Sequence, residues 1–195
     1  MISIQMGEIY RKSIHVLGGI IPLSYYYYFD KTFMFDSLVI LSLIAVILEY
    51  LRLHYAWVES IFESIFGFGI RREEINTVTG ASYYIVSSLV IIFLFPKNIA
   101  APSLLILSFS DTAAALVGIP FGKHRFLDKS MEGSIAFLSV SIFVLLYFTE
   151  LHIIFIVLTA IIVTLVEAKQ SIINDNFTIP MVTAIMLSLI GVMIR

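Results

Sequence analysis

Long apolar runs alternate with short polar segments along the chain, and the apolar runs have the length of membrane-crossing helices. A helix needs about 17 to 25 predominantly apolar residues to cross the hydrocarbon core of a bilayer. Runs close to that length occupy residues 13–29, 35–53, 80–96, 99–119, 133–149, 152–168 and 177–194. The pattern predicts an all-α, polytopic membrane bundle of about seven transmembrane helices, formed as one domain over residues 1–195.

The loop between the second and third runs carries a different pattern. Its apolar residues recur at near-helical spacing, at Trp57, Ile61, Phe62, Ile65 and Phe66. This spacing is typical of an amphipathic helix that lies in the membrane interface. We expect Gly67 and Gly69 to end that helix.

The composition agrees with a membrane protein. Hydrophobic residues make up 59% of the chain and charged residues only 13%, whereas a soluble domain usually carries about 25% charged residues. The net charge of −2 provides no overall field that would attract nucleic acid, so we expect no nucleic-acid partner. The chain has no cysteine, which excludes disulfides and thiolate nucleophiles.

Basic residues are distributed unevenly between the two predicted faces of the bundle. Seven helices place the termini on opposite faces. One face carries Arg11, Lys12, Arg52, Arg71, Arg72, Lys123, Arg125, Lys129 and Lys169, and the other carries Lys31, Lys97 and Arg195. The positive-inside bias then predicts a cytoplasmic N-terminus and cytoplasmic loops, with the C-terminus on the opposite face. No small-residue cleavage site follows the first run, so we interpret it as a retained helix.

Three acidic residues lie within predicted spans, where an ionisable group costs about 2.5–3.5 kcal/mol and usually faces a cavity or the bundle interior. Asp111 lies near the middle of the fourth span, and it is either a functional carboxylate or one bonded by Ser108, Ser110 or Thr112. Glu49 has Arg52 one turn later, which permits a simple i,i+3 ion pair. Glu167 lies beside Lys169 at the end of the sixth span.

The loop after the fourth span combines glycines with cations. Gly118 to Lys123 resembles a phosphate-binding P-loop only superficially, because the glycine spacing is one residue short, His124 replaces Ser/Thr and no strand precedes. The cations that follow are Lys123, His124, Arg125 and Lys129. Ser130 is a predicted N-cap, with Glu132 in the first turn and Gly133 allowing close approach. A helix N-terminus beside such cations is a sound anion-binding site.

The last loop offers oxygen ligands. Asn174, Asp175 and Asn176 are of the kind that Mg²⁺ accepts, and this ion usually takes one or two carboxylates together with substrate phosphates. The alternative is a polar turn that caps the last helix, with Pro180 in its first turn. Together with Asp111 and the cations on the same face, the loop provides the set of groups that phosphoryl transfer needs.

Motifs along nearly the whole chain then fall in a familiar order. They are Arg11-Lys12-Ser-Ile-His15, Glu49-x-x-Arg52, Thr79-Gly80, Ser110-Asp111-Thr-Ala-Ala114, Gly118 to Lys123, Lys129-Ser130-x-Glu132-Gly133-Ser134, Glu167-Ala168 and Asp175-Asn176-x-x-Ile-Pro180. In this order they resemble the polyprenol kinase family, which includes dolichol kinase, phytol kinase and CTP-dependent diacylglycerol kinase.

The resemblance implies an integral-membrane kinase that transfers the γ-phosphate of a nucleotide, with CTP favoured as co-substrate, to a lipid alcohol. A polyprenol is favoured over diacylglycerol as the acceptor. The residues that the resemblance places at the site are Asp111, Lys123, Lys129, Ser130, Glu132 and Asp175, with Arg11 and Lys12 assisting.

Physical roles for these residues are our inference. Asp111, Asp175 and Asn176 would hold Mg²⁺, or one of the two aspartates would orient the alcohol as base, a role that His15 also suits. The triphosphate would contact Lys123, Arg125 and Lys129, with Ser130 and Gly133 at the helix start. Supporting positions are Glu49, Arg52 and Glu167.

Two other functions remain open from the sequence. A CDP-lipid synthase-like cytidylyltransferase would use the same nucleotide, metal and membrane face, although its Lys-Asp pair and Pro-Gly-His-Gly-Gly run are missing here. A non-enzymatic transporter or scaffold would use Asp111 for ion coupling, but few charged residues lie on the opposite face to line a pathway.

Overall fold

Helices dominate the computed structural model, which describes residues 2–69, 74–169 and 174–193. In chain order they are α1 Ile2–Gly18, α2 Ile20–Tyr27, α3 Lys31–His54, α4 Ala56–Phe66, α5 Gly80–Leu94, α6 Lys97–Leu105, α7 Asp111–Phe121, α8 Met131–Phe148, α9 Ile153–Ala168 and α10 Asp175–Met193. A 3₁₀ turn, Gly67–Gly69, follows α4, and a π-helical turn, Ile106–Ser110, joins α6 to α7. The all-α class and the helix ending near Gly67 are confirmed.

Four segments in the described part of the chain are long and apolar enough to cross a membrane, judged by length and composition. They are α3, the continuous segment from α6 to α7, α8 and α10. Two further apolar helices, α5 and α9, are shorter, with 15 and 16 residues. The chain thus has the helices of a membrane protein, but these lengths do not confirm the predicted count of seven spans.

The first predicted span, residues 13–29, is divided between two helices. Its helix stops at Gly18 and a new one starts at Ile20. A carbonyl released at the break needs another partner, and the Tyr84 hydroxyl of α5 donates to the Gly18 carbonyl over 2.8 Å. A side chain on Gly19 would meet the Phe109 ring at 3.2 Å. Pro22, which has no N–H to donate to the Gly18 carbonyl, interrupts the helix, and Gly19 permits the close approach of the neighbouring segment.

Several helix ends meet at one end of the bundle, which we call the polar end. It contains the starts of α5, α8 and α10 and the ends of α3, α7 and α9. Contacts that hold these ends together include Lys129 with Glu167, and the Asn176 amide with the Gly80 carbonyl. Which side of the membrane this end faces stays a prediction. Arg71, Arg72 and Arg195, which the charge count used, lie outside the described residues.

A short hairpin that the sequence did not predict lies between α7 and α8. Its strands are β1 Arg125–Phe126 and β2 Lys129–Ser130, paired antiparallel with Phe126 opposite Lys129. Leu127 in the turn has a φ of 52°, which is an uncommon, left-handed conformation for a residue other than glycine. The Asp128 amide donates to the Ala168 carbonyl over 3.1 Å. The hairpin is thereby fixed to the end of α9.

The segment from α6 to α7 lies at the centre of the packing. Leu104, Leu105, Ile106 and Leu107 are fully buried and belong to the two hydrophobic clusters of the bundle. A π-helical turn inserts one extra residue into a helix and often marks a functional site. The residue immediately after this π turn is Asp111, so the most central helix carries the candidate carboxylate.

Glycine allows α7 and α8 to pack closely beside the hairpin. A Cβ on Gly133 would lie 2.9 Å from the Ala114 carbonyl oxygen and 3.3 Å from the Gly118 Cα atom. Both of these are backbone atoms that cannot turn aside. The contact therefore requires small residues on both helices, as the sequence predicted for Gly133.

Replacing Gly133 by alanine should push α7 and α8 apart. We expect Gly133→Ala to lower the free energy of unfolding by about 1–3 kcal/mol, the usual cost of overpacking. Gly191→Ala in α10 is the matched control, because a Cβ there meets nothing within 4 Å, and its higher helix propensity should stabilise by up to about 1 kcal/mol. Thermal unfolding in detergent measures both, and equal melting temperatures for the two variants would contradict the packing described here.

Candidate functional site

A cavity of about 520 Å³ opens at the polar end. Its walls come from α1, α7, α8, α9, α10, the start of α5 and the hairpin. The charged residues that line it are Glu8, Arg11, Lys12, His15, Glu74, Asp111, Asp128, Lys129, Glu167 and Asp175. Most of the sequence-predicted site residues, drawn from five separate segments, therefore share one space.

Asp111 lies at the inner end of this cavity. Because α7 has 11 residues, Asp111 is about 15 Å along the helix axis from the other end of α7. Its side chain is 10% exposed. The cavity thus carries a carboxylate well inside an apolar bundle, where an unpaired charge would be costly.

The charge on Asp111 is balanced by Lys12 of α1, whose ammonium group contacts the Asp111 carboxylate directly. The two residues are 99 positions apart in the chain. The neighbouring hydroxyls that the sequence offered as partners are otherwise engaged, since Ser108 and Thr112 donate to carbonyls of their own helix and Ser110 accepts from Ser141. The aspartate is therefore paired across the bundle rather than locally.

His15 lies one turn beyond Lys12 on the same face of α1. Its Nδ1 atom is 4.0 Å from the Asp111 carboxylate, and its ring is arranged edge-on to Tyr84 at a centroid distance of 6.1 Å. The residue is 7% exposed. Lys12 and His15 thus approach the same carboxylate from a single helix.

Lys129 is the cation on the opposite wall. Its ammonium group is 2.7 Å from Glu167 and 3.3 Å from Asp175. Burial lowers the pKa of the Lys129 ammonium group, but the carboxylates of Glu167 and then Asp175 raise it, so that the pKa lies above its ordinary value. Lys129 therefore stays charged at neutral pH and joins β2, α9 and α10.

The cavity walls carry polar atoms that the protein itself does not satisfy. Among the described residues, the buried atoms without a hydrogen-bond partner include Arg11 Nε, His15 Nδ1, Ser134 Oγ and Glu167 Oε2, and all four residues line the cavity. Buried polar groups are nearly always bonded in native proteins. Their concentration in one cavity indicates a space that accommodates a polar ligand.

Glu49 and Arg52 form a buried support at the edge of the cavity. Arg52 Nε donates to the Glu49 carboxylate over 2.9 Å, and its other nitrogens donate to the carbonyls of Glu74, Ile75 and Thr77. Glu49 in turn accepts from the amide and hydroxyl of Thr79. The i,i+3 pair expected from the sequence is present, and it also fixes the segment before α5.

Asn176 has a structural contact as well as a place in the wall. Its amide nitrogen donates to the Gly80 carbonyl over 2.7 Å, which ties α10 to α5. In the described residues no group of three or more His, Asp or Glu side chains is arranged to hold a metal ion. The carboxylates suit a cation that is shared with ligand phosphates rather than one held by protein alone.

Three residues predicted to bind phosphate do not line the cavity. Lys123 and Arg125 are exposed, because the hairpin turns the chain around and brings only Lys129 inward. Glu132 accepts from His124 over 2.8 Å. The predicted anion site at the start of α8 stays a prediction. Ser130 and Gly133 line the cavity, while the amides of Met131 and Gly133 donate to the His124 carbonyl and to the Ser130 hydroxyl.

Some cavity residues were not found from the sequence. Ser134 was named only within the motif that begins at Lys129 and was given no role, and Glu74, which precedes α5, was not singled out. Glu167 was placed beside Lys169, whereas its partner is Lys129. The sequence showed a glutamate at the end of an apolar run, but its pairing with Lys129 depends on the hairpin, which the sequence did not predict.

Comparison with known proteins gives the family. The chain is 32% identical over 181 residues to the uncharacterized protein RP860 of Rickettsia prowazekii, and the match covers 88% of each chain. The chain belongs to the same family as RP860. No family model matches the chain, and no solved structure matches it.

Homologues of this RP860-family chain include fungal lipid kinases. It is 31% identical over 142 residues to CTP-dependent diacylglycerol kinase 1 of Saccharomyces cerevisiae, which covers 69% of the chain and 48% of the kinase. The protein of the same name from Eremothecium gossypii is 29% identical over 133 residues, covering 66% and 42%. The chain spans about half the length of these kinases. The resemblance drawn from the motifs is thus supported at the level of lipid kinases in general.

Removing Arg52 should damage the support at the cavity edge. We expect Arg52→Ala to lower the free energy of unfolding by about 3–5 kcal/mol, because Glu49 is left buried without its partner. Arg125→Ala is the matched control, since Arg125 is exposed and should change stability by no more than about 0.5 kcal/mol. Denaturant unfolding in detergent gives both values, and a small effect at Arg52 would show that the support is dispensable.

Proposed function

We propose that the chain is a CTP-dependent lipid kinase, which transfers the γ-phosphate of CTP to the hydroxyl of a lipid alcohol. The observation that carries this proposal is the joining of Lys12 with Asp111, and of Lys129 with Glu167 and Asp175, around one cavity. Homologues that are CTP-dependent diacylglycerol kinases support it.

The cations provide the first requirement of phosphoryl transfer. Charge develops on the oxygens of the transferred group, and fixed positive groups stabilise it without reorganising. Arg11, Lys12 and Lys129 line the cavity and would contact the triphosphate. Ser134, whose buried hydroxyl lacks a partner within the described chain, would donate to a phosphoryl oxygen.

The second requirement is a group that accepts the proton of the alcohol. In the proposed step the acceptor oxygen forms a bond to the γ-phosphorus, the bond from that phosphorus to the β–γ bridging oxygen breaks, and CDP leaves with the bridging oxygen. The hydroxyl proton passes to His15 Nδ1, which has no hydrogen-bond partner in the described residues. The Asp111 carboxylate lies 4.0 Å from the same nitrogen and would stabilise the charged ring by its negative charge.

Magnesium fits the remaining carboxylates. Asp175 lines the cavity and its side chain is 30% exposed. The buried Glu167 Oε2 atom is without a partner among the described residues, so both residues present oxygen atoms of the kind that Mg²⁺ prefers. No group of three such side chains in the described residues is arranged to hold a metal, so one or two carboxylates, among them the predicted ligands Asp111 and Asp175, would share the ion with the phosphates, beside the predicted ligand Asn176. When bound, the ion would neutralise charge on the β- and γ-phosphates.

Diacylglycerol is the acceptor that we propose to test first, because it is the substrate in the name of the fungal homologues. The polyprenol favoured by the sequence analysis gains no support from these comparisons and serves as the second acceptor.

We further propose that the reaction takes place at the cytoplasmic face, where CTP is present and where the basic residues of the polar end predict the site to be.

Two lysines of the same loop allow a residue of the cavity to be compared with a residue of the exposed surface. Lys129→Ala should lower kcat/KM by about 10²–10³-fold, the usual loss when a donor to the transition state is removed. Lys123→Ala should stay within about threefold of wild type, as for an exposed side chain. Labelled CTP, Mg²⁺ and diacylglycerol in mixed micelles provide the assay, with CDP and phospholipid as products. Equal losses of kcat/KM in both variants would show that Lys123 also contributes to the site. Release of pyrophosphate in place of CDP would identify a cytidylyltransferase.

His15 is the candidate base and has its own test. His15→Ala should lower kcat by about 10²–10⁴-fold, the range for general-base catalysis, with CTP still protecting the protein against heat. Added imidazole should restore part of the activity, because it fits the space that the ring leaves. A variant that keeps wild-type kcat would assign the proton to another group.

A further inference from the structure

An apolar groove of about 500 Å³ runs beside the polar cavity. The residues that form each wall recur at helical spacing. Leu41, Ile44, Ala45 and Leu48 come from one face of α3, and Ala81 and Ile85 from one face of α5. Ile14, Leu17 and Ile21 line the facing side, and Phe62 and Phe66 of α4 lie over the end near the cavity. The walls are therefore apolar faces of α3, of α5 and of the consecutive helices α1 and α2.

The groove faces the surroundings of the bundle rather than its core. Leu41, Ile44 and Leu48 are 43%, 48% and 47% exposed, although they are large apolar side chains in the middle and second half of a helix that is long enough to cross a membrane. Small residues at Ala45, Ala81 and Gly18 leave the space between them. In a bilayer, such a surface contacts hydrocarbon.

One end of the groove is polar, and there it joins the cavity. Arg11, His15, Glu74 and Gly80 line both spaces. Arg11 Nε and His15 Nδ1 are buried there with no partner among the described residues. An occupant of the groove must therefore be apolar along its length and carry hydrogen-bonding groups at one end.

We propose that this groove binds the hydrocarbon chain of the lipid acceptor and places its hydroxyl at His15. The proposal rests on the proposed function, since it names where the alcohol enters the same site. An ordinary annular lipid would not need a groove that ends on buried, unpartnered polar atoms. The acceptor chain enters sideways from the bilayer, while the nucleotide enters the cavity from water, and the two meet at the wall that His15 belongs to.

Two isoleucines of α3 provide the test. Ile44 lines the groove and Ile47 does not, while their exposures are similar, 48% and 55%. Ile44→Trp fills the groove and should raise the KM for diacylglycerol roughly tenfold or more, with the KM for CTP unchanged. Ile47→Trp should keep both within about threefold. Equal KM values for diacylglycerol in the two variants would overturn the proposal. Leu41→Trp against Leu43→Trp repeats the comparison if Ile44→Trp does not fold.

A labelling measurement tests lipid binding in the groove independently of kinase activity. The wild-type chain in phosphatidylcholine nanodiscs is irradiated with diacylglycerol that carries a diazirine on one acyl chain, and the labelled peptides are mapped. Labels on the groove residues of α3 and α5 that excess unlabelled diacylglycerol removes would support the groove. Labels spread equally over Ile47 and its neighbours, or unaffected by the competitor, would refute it.

The two proposals can fail separately. If the wild-type chain phosphorylates neither diacylglycerol nor a polyprenol, the proposed function fails, and the labelling pattern alone decides whether the groove holds a lipid. If a polyprenol removes the groove label at a lower concentration than unlabelled diacylglycerol does, the groove stands and the acceptor is the polyprenol. If activity is present but Ile44→Trp and Ile47→Trp behave alike, only the groove assignment is wrong.

Discussion

The contact between Lys12 and Asp111 is the interaction on which the arrangement of the bundle depends. A carboxylate at this depth is acceptable only if a cation reaches it, because transferring an unpaired charge from water into an apolar interior costs many kcal/mol. Lys12 meets this need from α1, a helix distant in sequence. The pairing fixes α1 against α7, and with α1 it brings in Arg11 and His15. The pairing of one buried charge thus places Arg11, Lys12 and His15 in the cavity that Asp111 lines.

The same requirement is met a second time at the hairpin. Lys129 lies between Glu167 and Asp175, so the ends of two helices are linked through one ammonium group. Two opposite walls of the cavity are thus held by ion pairs, and the space between them retains polar atoms without partners within the described residues. Paired charges in the walls together with unpartnered polar atoms are what we expect of a cavity that takes a polar ligand, because buried polar groups are otherwise nearly always bonded.

The helices were largely predictable because hydrophobic run length depends only on local sequence. The predicted span 99–119 corresponds to the helical segment Lys97–Phe121, and 133–149 to Met131–Phe148. Ser130 was also recognised as a cap, since capping involves residues only a few positions apart. The convergence of Asp111, Lys129 and Asp175 on one cavity agrees with their predicted shared face, although their chemical roles stay proposals.

What the sequence could not predict depends on contacts between distant segments. Lys123 and Lys129 look equivalent as cations in one loop, and only the unforeseen hairpin separates them. The pairing of Asp111 with Lys12 required the packing of α1 on α7. The Gly18 carbonyl, which Pro22 leaves without a helical partner, accepts instead from the Tyr84 hydroxyl of another helix. In each case the residue itself stood out in the sequence, but its contacts depend on residues that are distant in the chain.

The short lengths of α5 and α9 have a consequence for the surrounding lipid. With 15 and 16 residues, each extends only about 23 Å, less than the hydrocarbon core of about 30 Å. A membrane relieves such a mismatch by local thinning or by drawing polar groups below the headgroups. Both helices have one end at the polar cavity, so a bilayer that they cross would be thinned at that place. For the proposed reaction, such thinning would shorten the distance between a dissolved nucleotide and a lipid that stays in the bilayer.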